Sequence, residues 1–230
     1  MDARHVQIQT QTNRHSAVRA FAAGGALAQL WGNAEFDLPP IPRESMIVGM
    51  ALHDRGYGLL DNDAIGEMAE QTWHAIARRG FSMYCSDAIA DTIAKYHVRR
   101  LARNPDRPER VTLAAEFSQG IEEQLAHYGL SKELFERINR ITDLLDQLSF
   151  NFCFEAPASG AVSIAARNAE EREVLVEYHV EEGVIQVSPW PFSADEYRGY
   201  IFGYPLQGYP ERPDPFVLSY YLKRAIKPSH

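Results

Sequence analysis

The spacing of apolar residues changes from a helical period to a strand period near Pro157. Before this residue, apolar positions recur every three or four residues, which predicts amphipathic helices. Breaks rich in glycine and proline divide the pattern into helices predicted over residues 15–31, 44–54, 67–79, 83–103, 109–128 and 131–152. The last helix carries an apolar stripe from Leu134 to Phe152, and Ser131 is suited to cap its first turn.

After Pro157, apolar and polar residues alternate, as in a β-strand with one buried face. Strands are predicted over residues 174–180, 184–188, 200–206 and 216–222. The whole pattern predicts a mainly α fold, with a helical core over residues 1–156 and a small β-rich appendage over residues 157–230. We expect the appendage to pack on the core as one structural unit, because a few short strands are marginal alone in water.

Composition narrows the classes of partner. The net charge of −8 argues against non-specific binding to nucleic acid or to an anionic membrane, both of which need a basic surface. The two cysteines, Cys85 and Cys153, are too few for a disulfide framework. The polar N-terminus does not resemble a signal peptide, and no apolar run reaches membrane-spanning length. We therefore expect a reduced, soluble, cytoplasmic protein.

The His53-Asp54 pair at the end of an apolar helix is the first candidate for chemistry. Adjacent side chains on a helix diverge by about 100°. The two side chains can therefore reach a common site only if that site is a single point that lies among several helices. A metal ion is such a point, and imidazole and carboxylate groups are suitable ligands for zinc, iron or manganese. Gly56 is predicted to end this helix in a left-handed conformation.

Other helices supply further candidate ligands. His15 lies at the start of the first helix, where most histidines are surface or capping residues. His97 lies on an apolar stripe, and its simplest interpretation is a hydrogen-bonded core histidine. In the last helix, Asp143 falls opposite the apolar stripe and is predicted to be solvated, whereas Asp146 lies on its flank and faces inward. A buried carboxylate needs a compensating charge, which a cation would provide.

The order His15, His53-Asp54, His97, Asp146 resembles the pattern of the HD-domain superfamily over roughly residues 10–155. A closer resemblance, to a bacterial domain-of-unknown-function family with an HD-like helical core and a β-rich tail, spans nearly the whole chain. The motifs that carry it are Gln11-Thr12 with His15, Trp31-Gly32, His53-Asp54-Arg55-Gly56-Tyr57, Tyr96-His97, Asp146-Gln147-Leu148-Ser149-Phe150 with Cys153, and Pro189-Trp190-Pro191-Phe192. That family more often has an acidic residue and a tryptophan at the positions of Arg55 and Tyr57.

The resemblance implies a metal-dependent hydrolase acting on a phosphate ester or nucleotide. The implied metal ligands are His15, His53, Asp54 and Asp146, and the predicted catalytic residues are His97 and Asp54. His97 would be a second-metal ligand or a general acid for the leaving group. The predicted substrate-binding residues are Arg55, Tyr57 and Arg100, because a guanidinium group is suited to bidentate contact with a phosphate. The cofactor would be a divalent ion, with manganese, iron, zinc, nickel and magnesium all open, and the partner would be a small anionic molecule. A di-iron oxygenase and a non-catalytic protein that binds a metal or small ligand stay open, as does a homo-oligomer.

Overall fold

The computed structural model describes residues 17–57, 69–104, 106–153, 157–167, 173–203, 214 and 216–225. The helices are α1 (Ala17–Leu30), α2 (Arg43–Ala51), α3 (Glu70–Ser82), α4 (Ala88–Ala102), α5 (Val111–Tyr128) and α6 (Lys132–Cys153). Short 3₁₀ turns cover Arg55–Tyr57 and Pro108–Arg110. The strands are β1 (Ala158–Ala165), β2 (Glu173–Glu181), β3 (Val184–Ser188), β4 (Glu196–Gly203) and β5 (Phe216–Arg224). None of the described helices is both long and apolar enough to cross a membrane.

The five strands form one mixed sheet in the order β1-β2-β3-β5-β4, in which only β3 and β5 run parallel. The prediction of a mainly α fold with a small β-rich appendage is therefore wrong, because the sheet is a full layer of an α+β fold. Strand β1 was missed because its sequence, ASGAVSIA, contains few of the β-branched and aromatic residues that mark strands. Strand β4 begins at Glu196, earlier than the predicted residue 200.

The sheet packs against the helices through one continuous apolar core. This core contains residues of α1, α2, α4, α5 and α6 together with residues of all five strands. Just after α1, Trp31 packs edge-to-face on Phe192 with ring centroids 6.1 Å apart, and the amide of Gly32 donates to the carbonyl of Pro191 over 2.9 Å. In the same core, the rings of Phe152 on α6 and Tyr220 on β5 lie 4.9 Å apart.

Helix α4 lies at the centre of the helical layer and packs against α2, α3, α5 and α6. Asp87 caps its first turn, because the carboxylate accepts hydrogen bonds from the amides of Ile89 and Ala90 over 2.9 and 3.0 Å. Helix α2 approaches it closely at Gly49, where a Cβ atom would lie 2.8 Å from the Cβ of Ile93. This contact places the end of α2, and the residues that follow it, against the middle of α4.

The chain after α2 differs from its prediction. The helix ends at Ala51, so that His53 and Asp54 lie in a turn followed by the 3₁₀ segment, not on the helix itself. The left-handed conformation predicted for Gly56 is also wrong, because it is absent from the described glycines with positive φ. Gly56 is instead needed for a close approach to α3, since a Cβ there would lie 2.4 Å from the carbonyl oxygen of Ile76.

Candidate metal centre

Four side chains from three parts of the chain converge beside the middle of α4. His53 and Asp54 come from the turn after α2, His97 from α4 and Asp146 from α6. Each offers one ligand atom, and these atoms all lie within 4.8 Å of one another. These four residues, called the His/Asp cluster below, are sheltered from solvent: His53 is 0% exposed and the side chain of Asp146 13%.

Within the His/Asp cluster, each carboxylate lies between the two imidazoles. Nε2 of His53 is 3.3 Å from Oδ2 of Asp54 and 3.2 Å from Oδ1 of Asp146. Nε2 of His97 is 3.0 Å from Oδ1 of Asp54. The two rings stand nearly perpendicular, with centroids 4.6 Å apart. The arrangement gathers two nitrogen and two carboxylate ligands of the kinds that transition metals bind.

A backbone contact fixes the orientation of His53. Its Nδ1 lies 2.5 Å from the carbonyl oxygen of Met50, one turn earlier in the chain. A carbonyl oxygen can only accept, so Nδ1 carries a proton and donates it. Nε2 therefore faces the carboxylates of Asp54 and Asp146. Histidines that bind metals are usually held in this way, by a hydrogen bond from the ring nitrogen that does not bind the metal.

Arg100 lies directly beside the cluster. One of its terminal nitrogens, Nη2, is 2.9 Å from Nδ1 of His97 and 3.0 Å from Oδ2 of Asp146. Its Nε is 3.2 Å from Oδ1 of Asp143, and its Nη1 donates to Oδ1 of Asn139 over 2.8 Å. The predicted solvation of Asp143 is therefore wrong: its side chain is only 21% exposed, because Arg100 reaches across from α4 to pair with it.

Electrostatic attraction keeps both carboxylates of the cluster ionised despite their burial. Burial would raise the pKa of Asp54, but the neighbouring His53 and His97 more than offset it and hold that pKa below its usual range. For Asp146, burial is offset by the same histidines and Arg100, which lower the pKa to about 2.

The two histidines of the cluster respond differently to the same surroundings. Burial would lower the pKa of His53, but Asp54 and Asp146 together raise it to about 10. Burial prevails at His97, whose pKa is lowered. At neutral pH the two carboxylates are therefore balanced by a protonated His53 and by Arg100.

A small cavity opens beside the cluster. His53, Asp54 and His97 line one side, and the remaining walls are mostly apolar, formed by Gly56, Tyr57, Trp73, Ile76, Ala77, Gly80, Val98 and Leu101. The free volume of about 20 Å³ is enough for about one water molecule. Tyr57, a predicted substrate-binding residue, lies in this wall and is nearly buried.

Arg55 does not join the His/Asp cluster. Its Nη1 is 2.7 Å from Oδ1 of Asp91 on α4, and its Nε donates to the carbonyl of Gly80 on α3 over 2.7 Å. Asp91 also accepts from Lys95 over 2.9 Å and from Gln124 over 3.1 Å. This buried network anchors the turn that carries His53 and Asp54. Sequence reasoning missed it, although an acidic residue on the apolar face of a helix, as at Asp91, is a signal that could have indicated it.

His15, the remaining predicted ligand, lies outside the described residues. Among the described residues, the structure brings together His53, Asp54, His97 and Asp146, places Arg100 against them, and puts Tyr57 in the wall of the adjoining cavity.

The fold and the cluster define this chain as an α+β protein with a buried His/Asp group that could hold a metal ion. The chain belongs to the DUF3891 family, described as a protein of unknown function, whose profile matches residues 83–203. This match confirms the predicted membership of a domain-of-unknown-function family. It includes His97, Arg100 and Asp146, whereas His53 and Asp54 precede it. Comparison with the curated proteins finds no match, and neither does comparison with the solved structures.

Proposed function

We propose that this protein is a metal-dependent hydrolase that binds a divalent cation at the His/Asp cluster. The observation that carries this proposal is the convergence of two carboxylates and two imidazoles, within 4.8 Å, in the interior of the protein. Manganese, iron, zinc and nickel all accept such mixed nitrogen and oxygen ligands. The resemblance to the HD-domain superfamily supports the same class of chemistry, with His15 as a further ligand.

The chemistry of the donor groups fits a cation. Asp54 and Asp146 are held ionised, and His53 presents Nε2 to the point where they meet. A cation at that point would replace the Nε2 proton of His53 as the positive charge that compensates the two carboxylates. When bound, it would also lower the pKa of a coordinated water from about 15.7 towards about 7, which makes a nucleophile available at neutral pH.

The other residues would orient the reaction and supply a proton. His97 lies at the edge of the cavity with Nε2 directed at Asp54, where it can hold a proton for the leaving group. The rings of Tyr57 and Trp73 limit the access of bulk water to the cavity. Arg100 adds a permanent positive charge next to the carboxylates, which favours an anionic substrate. We therefore propose a phosphate ester or a nucleotide as the substrate class.

A second candidate is a protein that binds a cation without catalysing a reaction. The size of the cavity favours it, because the free space beside the cluster accommodates only about one water molecule. The two candidates share the cation site and differ in whether hydrolysis follows binding.

A hydrolysis screen separates them. The full chain would be assayed with a phosphomonoester, a phosphodiester and nucleoside mono- and triphosphates, each with added manganese, nickel, zinc, iron(II) or magnesium. We expect cation-dependent hydrolysis that falls about 100-fold or more in Asp54→Asn, because a metal ligand is lost. Asp195→Asn is the matched control, since this side chain is 97% exposed and lies outside the cluster. Cation binding without hydrolysis of any of these substrates would favour the second candidate and contradict the first.

A further inference from the structure

We propose that Arg100 is a positioning residue that fixes the tautomer of His97 and so keeps His97 from ligating the cation. The cation would then be held by His53, Asp54 and Asp146, while His97 donates a hydrogen bond to Asp54 and does not bind the cation. This inference rests on the proposed cation site and assigns different roles to its two histidines.

The contact between Arg100 and His97 determines which ring nitrogen of His97 carries the proton. Nη2 of Arg100 lies 2.9 Å from Nδ1 of His97. A guanidinium group has only donors and stays charged in proteins, so Nδ1 of His97 must be the acceptor. A neutral imidazole has one N–H group, which must then be at Nε2. The geometry agrees, because Nε2 lies 3.0 Å from the carboxylate of Asp54, a group that accepts.

His53 has the opposite arrangement. Its Nδ1 faces a carbonyl oxygen, that of Met50, which is an acceptor. The proton of a neutral His53 is therefore at Nδ1, and the lone pair at Nε2 faces the cluster. A neutral imidazole that ligates through Nε2 needs its proton at Nδ1. His53 meets this requirement, whereas His97, with a donor at Nδ1, does not while Arg100 stays in place.

The guanidinium of Arg100 is held by several groups on α6. It pairs with Asp143 and Asp146 and donates to Asn139. Asp143 in turn accepts a hydrogen bond from Nε2 of Gln147 over 2.9 Å, and Oε1 of Gln147 accepts one from the hydroxyl of Tyr178 on β2 over 2.9 Å. A chain of hydrogen bonds thus connects the sheet to the arginine that faces His97.

Removal of the guanidinium would reverse the tautomer. Without a donor at Nδ1, His97 can carry its proton there and donate it to Oδ2 of Asp146, which lies 3.5 Å away. Nε2 would then offer a lone pair to the cation. The inference therefore predicts that His97 becomes a metal ligand when Arg100 is replaced by an uncharged residue.

The first test reads the tautomer directly. Full-length protein with ¹⁵N-labelled histidine would be compared by NMR with Arg100→Met and with Arg103→Met. Arg103 is a matched control because it directly follows α4, is exposed and donates a hydrogen bond to the hydroxyl of Ser118. We expect the proton of His97 at Nε2 in the wild type and in Arg103→Met, and at Nδ1 in Arg100→Met. A wild-type His97 protonated at Nδ1, or no change in Arg100→Met, would overturn the inference.

The second test measures how strongly Arg100 and His97 are coupled in their effect on cation affinity. Calorimetric titration with Mn²⁺, Ni²⁺ or Zn²⁺, each alone, would be made on the wild type, His97→Ala, Arg100→Met and the double variant. We expect His97→Ala to change the cation affinity by less than about threefold in the wild type, but by about tenfold or more in Arg100→Met. Equal effects in both backgrounds would contradict the inference. If the wild type binds none of these cations, the proposed function fails, while the NMR measurement still decides the role of Arg100.

Discussion

At the scale of single residues, His53 links the stability of the protein to pH. Its pKa in the folded protein is raised to about 10 from an ordinary value of 6.5, because Asp54 and Asp146 favour its protonated form. A group whose pKa is raised on folding stabilises the folded state below its unfolded pKa, and this contribution disappears as the pH rises through the folded value. The contribution of His53 should thus be complete below about pH 6.5 and lost near pH 10.

We therefore expect the free energy of unfolding, measured by urea titration with a chelator present, to fall between these pH values. The fall should exceed that of a His53→Gln variant by an amount on the order of a few kcal/mol. The variant serves as the control for all other groups that titrate in the same range. Parallel pH profiles for the two proteins would contradict a raised pKa of His53 in the folded protein.

Residue type and spacing were enough to single out the four side chains that converge in the His/Asp cluster. The adjacent pair His53-Asp54, the inward histidine His97 and the inward aspartate Asp146 are the members of the cluster. The partner of Asp143 could not be predicted in the same way. A helical wheel shows which face of α6 carries a residue, but not that Arg100 reaches it from another helix. Sequence alone does not give the distance between helices.

At the scale of elements, the position of the turn carrying His53 and Asp54 depends on the contact between Gly56 and Gly80. The backbones meet so closely that a Cβ on Gly56 would lie 2.4 Å from the carbonyl oxygen of Ile76. Gly56→Ala should push the 3₁₀ segment away from α3. We expect a loss of about 1–3 kcal/mol in stability from this steric strain, together with a weaker affinity for a divalent cation.

Gly129→Ala is the matched control for that variant. Gly129 has a φ of 64° at the end of α5, and nothing lies within 4 Å of a Cβ built there. The substitution should cost about 1 kcal/mol through backbone strain and leave cation affinity unchanged. Thermal unfolding and calorimetric titration measure both effects. Equal losses of affinity in the two variants would show that the turn contact has no special effect on the site.

The long helices could be predicted from the sequence more easily than the strands. Long amphipathic helices such as α5 and α6 carry their signal in a local period, and hydrogen bonds within the helix satisfy the backbone. A strand such as β1 is stabilised by a partner at a distance. Its Gly160 lies opposite Tyr178 on β2, where a Cβ would come within 2.5 Å of the tyrosine hydroxyl. The small residue makes room for the ring of a neighbouring strand, a relation that no local pattern contains.

At the scale of the whole molecule, the helices and the sheet share one core, and the sheet is connected to the site. The hydroxyl of Tyr178 on β2 contacts two residues of α6: Gln147, which directly follows Asp146, and Asn151, on the next turn of the helix. Because β2 and α6 are packed and hydrogen-bonded together, the position of Asp146 depends on the sheet as well as on its own helix. The cluster is therefore a feature of the complete fold, and a ligand that binds it should stabilise the entire molecule.

The most direct test of the central claim is the thermal unfolding of the full chain with and without a divalent cation. At a cation concentration about 100 times the dissociation constant, binding adds about 2.7 kcal/mol of stability, or a rise of about 5–10 °C in Tm for a chain of this size. We expect this rise in the wild type and in Asp195→Asn with at least one of manganese, nickel, zinc or iron(II), and its loss in Asp54→Asn. No cation-dependent rise in the wild type, or an equal rise in Asp54→Asn, would contradict a metal site at the His/Asp cluster.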